Sequence, residues 1–291
     1  MPKADMRAVV NELVESYRKH EAIIKIDAKD QISREVIAEI LGDLRKLFFA
    51  GFFGVKRLKE DWLEYYVGEL LEQIVYNLRK QSRRALRAVG FESGRAAREA
   101  ERIADGFAAK LPEIRELLAA DVDAAYDGDP AAASKDDVIL SYPGLYAIMV
   151  YRVAHELHLA GTPLIPRMMT EHAHGLTGID IHPGASIGHH FFMDHGTGIV
   201  VGETAVIGNH VKIYQGVTLG ALSTRGGHML TGTKRHPTIM DNVTIYSGAS
   251  ILGGETVIEE GAVIGSNAFI TSSVKKKTKV SVRNPELEYD R

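Results

Sequence analysis

Nine of the twelve histidines lie between His172 and His236, at positions 172, 174, 182, 189, 190, 195, 210, 228 and 236. Imidazole titrates near neutral pH and is a common metal ligand, so this clustering points to proton transfer or to metal. Two placements suggest a definite chemistry. His195 follows Asp194, and Asp180 stands fifteen residues earlier. A carboxylate on one ring nitrogen fixes the tautomer and raises the basicity of the other, which makes a general base for a hydroxyl. Arg235-His236-Pro237 stands just before Ile239. The chain has no cysteine, which removes disulfides, thiolate-bound zinc and a cysteine nucleophile. HExxH is absent, and His172 and His174 form only a short pair, so no metal is expected.

The elements that must position these residues change character near residue 175. Of 28 glycines, 18 fall between Gly175 and Gly265. Residues 1–174 are rich in strong helix formers. Apolar residues three and four apart predict helices over Ile32–Phe49, Trp62–Leu86, Ala96–Ala109, Leu111–Tyr126, Pro143–Leu159 and Pro163–Thr170. Pro112 falls in the first turn of its helix, where a missing N–H costs little. Gly128, Asp129 and Pro130 interrupt the pattern over 127–135.

Residues 175–283 follow a period of six. Ile181, Ile187, Met193, Ile199, Ala205, Val211 and Val217 are all apolar, as are Ile239, Ile245, Ile251, Val257, Val263 and Phe269. Six suits neither a helix nor a hairpin, but it is the repeat of a parallel β-helix, with three units closing an eighteen-residue coil. A second inward series reads as much weaker. On an eighteen-residue coil, Asp180 reaches the imidazole of His195 on the next turn. Residues 219–234 break the count and are expected as a loop extruded from one edge, the usual place for function on a repeat scaffold. Residues 284–291 form a short tail. The fold class is α+β, an all-α domain followed by a β-helix.

The 291 residues are 45% hydrophobic and 25% charged, with net charge −3. That is a soluble composition with no basic field for nucleic acid. The longest apolar run, Leu47–Val55, has nine residues, too few to span a membrane, and reads as a helix end packed in a core. No secretory signal is visible, and a cytoplasmic location is expected.

The run DIHPGASIGHHFFMDHGTGIVVGETAVIG (180–208), with VKIYQGVTLGAL (211–222) and KRHPTI (234–239), closely resembles serine O-acetyltransferase. GDPAAAS (128–134) and YRVAH (151–155) extend the likeness upstream. The resemblance implies a left-handed β-helix and transfer of acetyl from acetyl-CoA to L-serine. It implies His195 as base, Asp180 as its orienting carboxylate and His236 as the second active-site histidine. Arg235 is implied for the serine carboxylate, with Asp129 and Asp194 for its amine and hydroxyl end. Gly220, Ala221, Ser247, Gly248 and Ala249 match positions beside the CoA pantetheine; Lys275, Lys276, Lys277 and Lys279 read first as a solvated last coil and second as contacts for CoA phosphates. A homotrimer or a dimer of trimers is implied, with L-cysteine as feedback inhibitor. The tail lacks the terminal isoleucine that docks into O-acetylserine sulfhydrylase, so no tight complex with that enzyme is expected. Other readings of the same residues are an O-acyltransferase for another amino acid or a sugar, and a zinc carbonic anhydrase of the γ type.

Overall fold

The computed structural model describes residues 5–25, 31–54, 57–223 and 225–283. Among the described residues seven α-helices come first: α1 Met6–Lys19, α2 Arg34–Phe48, α3 Leu63–Ala88, α4 Ser93–Gly128, α5 Lys135–Ser141, α6 Pro143–Leu159 and α7 Ile165–Thr177. Helix α2 starts at Ser33, whose hydroxyl accepts from the Val36 N–H at 3.2 Å, satisfying one orphan donor of the first turn. Its Ile37, Ile40, Leu41, Leu44 and Phe48 form one buried stripe. The apolar run at 47–55 ends this helix in the core. Phe48 and Phe49 are buried, and the Arg45 guanidinium lies 3.8 Å from the Phe53 ring centre. Val55 is outside the described residues, as is the tail 284–291. No described helix is long and apolar enough to cross a membrane.

Several helices differ from the sequence reading, among them α7, which runs on to Thr177. Residues 96–126 belong to one helix, α4, which runs through Pro112. Proline there removes one i→i−4 bond. Ile103, Phe107, Leu111, Ile114 and Leu118 nevertheless keep one buried face across it, and that packing prevails. Helix α5 lies just past the glycine–proline break, started by the Ser134 hydroxyl accepting from the Asp137 N–H at 3.2 Å.

Helix α6 is buried on nearly every side and joins the helices to the β-helix. Tyr151 O–H donates to the Ala185 carbonyl at 2.6 Å, and His155 Nδ1–H donates to the Pro183 carbonyl at 2.8 Å. Arg152 makes a fork with Asp121 of α4, at 2.7 and 2.8 Å, and also reaches the Gly188 carbonyl at 2.8 Å. Asp121 in turn accepts from the Phe191 N–H at 3.0 Å. Both partners are almost fully buried. Arg152→Met is therefore expected to cost about 3–5 kcal/mol, because it strands a buried carboxylate. Denaturant unfolding of Arg152→Met beside Asp121→Leu/Arg152→Met checks this, since the double variant should recover much of the loss.

Among the described residues fourteen strands build three parallel sheets. Sheet 1 holds β1 (Asp180–Ile181), β4 (Val200–Val201), β7 (Thr218–Gly220), β10 (Ser250–Leu252) and β13 (Phe269–Ile270). Sheet 2 holds β2 (Ser186–Ile187), β5 (Val206–Ile207), β8 (Thr238–Ile239) and β11 (Val257–Ile258). Sheet 3 holds β3 (Phe192–Asp194), β6 (Lys212–Tyr214), β9 (Thr244–Ile245), β12 (Val263–Ile264) and β14 (Lys279–Val280). From β1 to β13, successive strands step from sheet to sheet, so the chain winds a three-sided prism. Its first corner joins sheets 1 and 2, its second joins sheets 2 and 3, and its third joins sheets 3 and 1.

The coils are not uniformly eighteen residues. Asp180 pairs with Val200, Val200 with Thr218, Val206 with Thr238 and Thr238 with Val257. Two extra residues follow β3, the loop interrupts the third coil, and one extra residue follows β10. Counting in sixes therefore slips. Ile181, Ile187 and Met193 belong to one inward column that continues through Val201, Ile207, Ile213, Leu219 and Ile239. Ile199, Ala205, Val211 and Val217 belong to a second column, equally buried. That second column is a full partner in the core rather than a weak one. After Ile251 the inward positions are Ile258 and Ile264, and Phe269 is 70% exposed. The loop leaves only after Gly220, because Leu219 and Gly220 pair with β10.

Candidate active site

The third corner carries one group of polar side chains. His195 sits where the two extra residues push the chain outward, in a left-handed conformation with φ 57°, its side chain 70% exposed. Asp194, at the end of β3, lies beside it, with 3.7 Å from Oδ1 to His195 Nδ1. Asp129 caps the end of α4 and faces the same corner. Its Oδ2 accepts from Tyr142 O–H at 2.5 Å and its Oδ1 from the Ala131 N–H at 2.9 Å. The Tyr142 bond holds the Asp129 carboxyl below its ordinary range, helped weakly by Lys212 and His195. The same bond pushes the Tyr142 phenol up to about 12. Lys212 on β6 donates to the Gly128 carbonyl, anchoring the segment that holds Asp129.

Asp180 opens β1 at this corner, but it does not contact His195 in the single chain. Its carboxylate accepts from Arg167 at 3.2 Å. The expected contact assumed an eighteen-residue coil, whereas Asp180 lies opposite Val200, twenty residues on.

The first corner carries the other group. Arg235 and His236 return from the loop onto Thr204. The Thr204 hydroxyl accepts from both their N–H groups, at 2.9 and 3.0 Å. Arg235 pairs with Glu203 and donates to the Leu230 carbonyl at 3.2 Å. The His236 ring is buried and lies so close over Gly202 that any Cβ at 202 would collide with it. Its Nδ1 accepts from the Thr204 N–H at 3.1 Å, so the proton of the neutral ring sits on Nε2. Burial, and then the Arg235 charge, lower the His236 pKa to about 4. His182 shares this corner, and its pKa is also lowered, chiefly by burial.

The depressed His236 pKa has a consequence for stability. Between pH 4 and 6.5 the unfolded chain binds a proton at this histidine that the folded chain does not. The contribution is complete above pH 6.5 and is lost as pH falls toward 4. Against a His236→Gln reference, thermal melts of the wild type should lose ground on acidification through that window; parallel pH curves would contradict it.

Thr204, Tyr142, Glu203 and Lys212 are the positions that spacing alone misses. Thr204, Glu203 and Tyr142 bind site residues from another coil or helix, Lys212 holds the neighbouring Gly128 carbonyl, and all but Tyr142 sit inside the runs 180–208 and 211–222.

The positions expected beside pantetheine flank sheet 1. Gly220 ends β7 and Ala221 follows it at the first corner, whereas Ser247, Gly248 and Ala249 precede β10 at the third. Ala249 is wholly buried in the inward column, so it offers no side chain outside. Gly198, Gly216 and Gly248 stack directly on one another at the third corner, all with positive φ. Lys275 pairs with Glu259 at 2.9 Å on the exposed last coil.

A three-sided parallel β-helix behind a helical domain is the architecture of hexapeptide-repeat proteins. The chain is 45% identical over 252 residues to the plasmid serine acetyltransferase of Synechococcus elongatus, covering 83% of this chain and 79% of that one. It belongs to the serine acetyltransferase family. A Bacillus subtilis serine acetyltransferase is 46% identical over 158 residues, 54% of this chain and 70% of its own. The crystal structure of Entamoeba histolytica serine acetyltransferase 1 in complex with L-cysteine matches with a TM-score of 0.75 at 39% identity, over 87% of both chains. That of the Neisseria gonorrhoeae enzyme in complex with serine matches with a TM-score of 0.56 at 28% identity, over 84% of this chain and 95% of that chain. No family model matches the chain.

Proposed function

We propose that this chain transfers acetyl from acetyl-CoA to the hydroxyl of L-serine, giving O-acetyl-L-serine and CoA. The observation that carries this reading is the pairing of a solvent-facing histidine among carboxylates with a buried, neutral N–H histidine beside an arginine. His195 takes the serine hydroxyl proton, since an alcohol is a poor nucleophile near neutral pH. The serine oxygen attacks the thioester carbonyl. The oxyanion is met by His236 Nε2–H, a donor that needs no reorganisation. Collapse expels the CoA thiolate, which takes the proton back from His195. Asp129 and Asp194 hold the ammonium group, and Arg235 holds the carboxylate. Asp180, on the same corner as His195, serves as orienting carboxylate when it turns from Arg167. Arg167 also pairs with Glu171, so it keeps an anionic partner.

His195 and His236 stand at different corners, with sheet 1 between them. One chain therefore holds both halves of a site without closing it. A threefold assembly sets the third corner of one copy against the first corner of the next, with CoA in the groove between. Gly220 and Ala221 then come from one copy and Ser247, Gly248 and the Ala249 backbone from the other. The stacked glycines allow close approach of the pantetheine.

A thiol-release assay with acetyl-CoA tests the reading. L-Serine should be the preferred acceptor over other hydroxyl amino acids and sugars, and L-cysteine should inhibit competitively with serine. It shares the ammonium and carboxylate that the site would hold, and it occupies the Entamoeba histolytica relative's structure. Acyl transfer to a sugar in preference to serine, or activity indifferent to millimolar cysteine, would overturn it.

A further inference from the structure

The second corner carries three histidines that the proposed reaction does not use. His189 and His190 precede β3, and His210 precedes β6 one coil later. One ring nitrogen from each lies within 4.8 Å of the others. His189 Nδ1 and His190 Nδ1 are 2.7 Å apart, and the rings of His190 and His210 stack with centres 4.4 Å apart. We propose that His189, His190 and His210 form a binding site for one divalent transition-metal ion of the zinc type, clamping the first coil to the second.

Three imidazoles with a fourth position left to water is a standard zinc ligand set, with nitrogens about 2.0–2.1 Å from the ion. In tetrahedral geometry those nitrogens stand about 3.4 Å from one another. The His189–His190 separation of 2.7 Å is shorter than that value and all three nitrogens lie within 4.8 Å, so ring rotation must open the first contact. The backbone beneath is fixed. His190 and His210 hold equivalent corner positions, each with φ 55°. The His210 N–H donates to the His189 carbonyl at 3.0 Å, and the His189 N–H to the Asn209 side chain at 3.1 Å. Asn209 is itself held by Asp241, its N–H donating at 2.8 Å.

The electrostatic setting is also suitable. The acidic groups facing His190 are Asp121 and Asp123 of α4. Asp121 is paired with Arg152, and Asp123 with Lys135 at 2.6 Å. Burial and the two neighbouring rings lower the His190 pKa, which favours the neutral imidazole that ligates metal. Metal loading competes with the 2.7 Å contact between His189 Nδ1 and His190 Nδ1. The imidazole set favours zinc, nickel, cobalt or copper over magnesium or calcium.

The test uses untagged full-length protein stripped with chelator, then titrated with zinc against a chromophoric competitor. One zinc per chain is expected, bound at micromolar dissociation constant or tighter, and cobalt should give the ligand-field spectrum of nitrogen coordination. His190→Asn and His210→Asn should each weaken zinc by about 100-fold or more. Asparagine is chosen because Asn242 occupies the same corner one coil further on, with φ 60°, so these variants keep the backbone. His172→Asn, on helix α7, should leave zinc binding unchanged. Zinc should raise the melting temperature of the wild type and of His172→Asn, but of neither corner variant. Binding weaker than about 100 μM, or equal zinc affinity in wild type and both corner variants, overturns the site.

Discussion

Replacing His195 with alanine is expected to lower kcat by about 100-fold or more while KM for acetyl-CoA stays near its original value. The side chain is exposed and supports no core contact, so its removal touches the proton transfer rather than the fold. Alanine is a poor occupant of the left-handed backbone at 195, whereas asparagine tolerates it. His195→Asn should therefore match the loss of activity with unchanged thermal stability, which separates the missing base from a disturbed corner. Asp180→Asn should be milder, since the base itself remains. Steady-state kinetics of the three variants decide the matter. Turnover within a few-fold of wild type for His195→Asn removes this histidine from the mechanism.

Replacing His236 with alanine is expected to lower kcat by two to three orders of magnitude, about the value of one preorganised donor to an oxyanion. The ring is fixed on two sides, by Thr204 on Nδ1 and by Gly202 beneath it, so Nε2–H has one direction available. The loss should fall on kcat more than on KM for serine, because the oxyanion exists only after attack. Gly202→Ala should reproduce part of the effect with every functional group still present, since a methyl group there must displace the ring. An effect confined to KM for serine would instead make His236 a ground-state ligand.

Much of this was legible in the chain itself. The β-helix follows from a period that survives because inward positions on both columns are aliphatic. Ile199, Ala205, Val211 and Val217 belong to the second column, so a count that slipped from Met193 still landed on buried residues. The slip mattered at the site. Two extra residues after β3 both project His195 and move Asp180 off the expected register, and nothing in residue type announces an insertion of two. Helix α4 was hidden by Pro112, because local propensity opposes a tertiary stripe that continues through it. The network around Thr204 and Tyr142 was not legible either. Each hydrogen bond there joins segments far apart in the chain, and only the winding brings them together.

In the proposed enzyme the base and the oxyanion donor of one site come from different copies of the chain. Co-expression of His195→Ala with His236→Ala in equal amounts tests it most directly, with mixed trimers isolated by two different tags. Each variant alone should be nearly inactive. In trimers that carry both variants, about one site in three combines an intact His195 from one copy with an intact His236 from its neighbour, so about a third of wild-type thiol release should return. If both residues of a site belong to one chain, no combination restores them, and mixed trimers no more active than the separate variants would contradict the account.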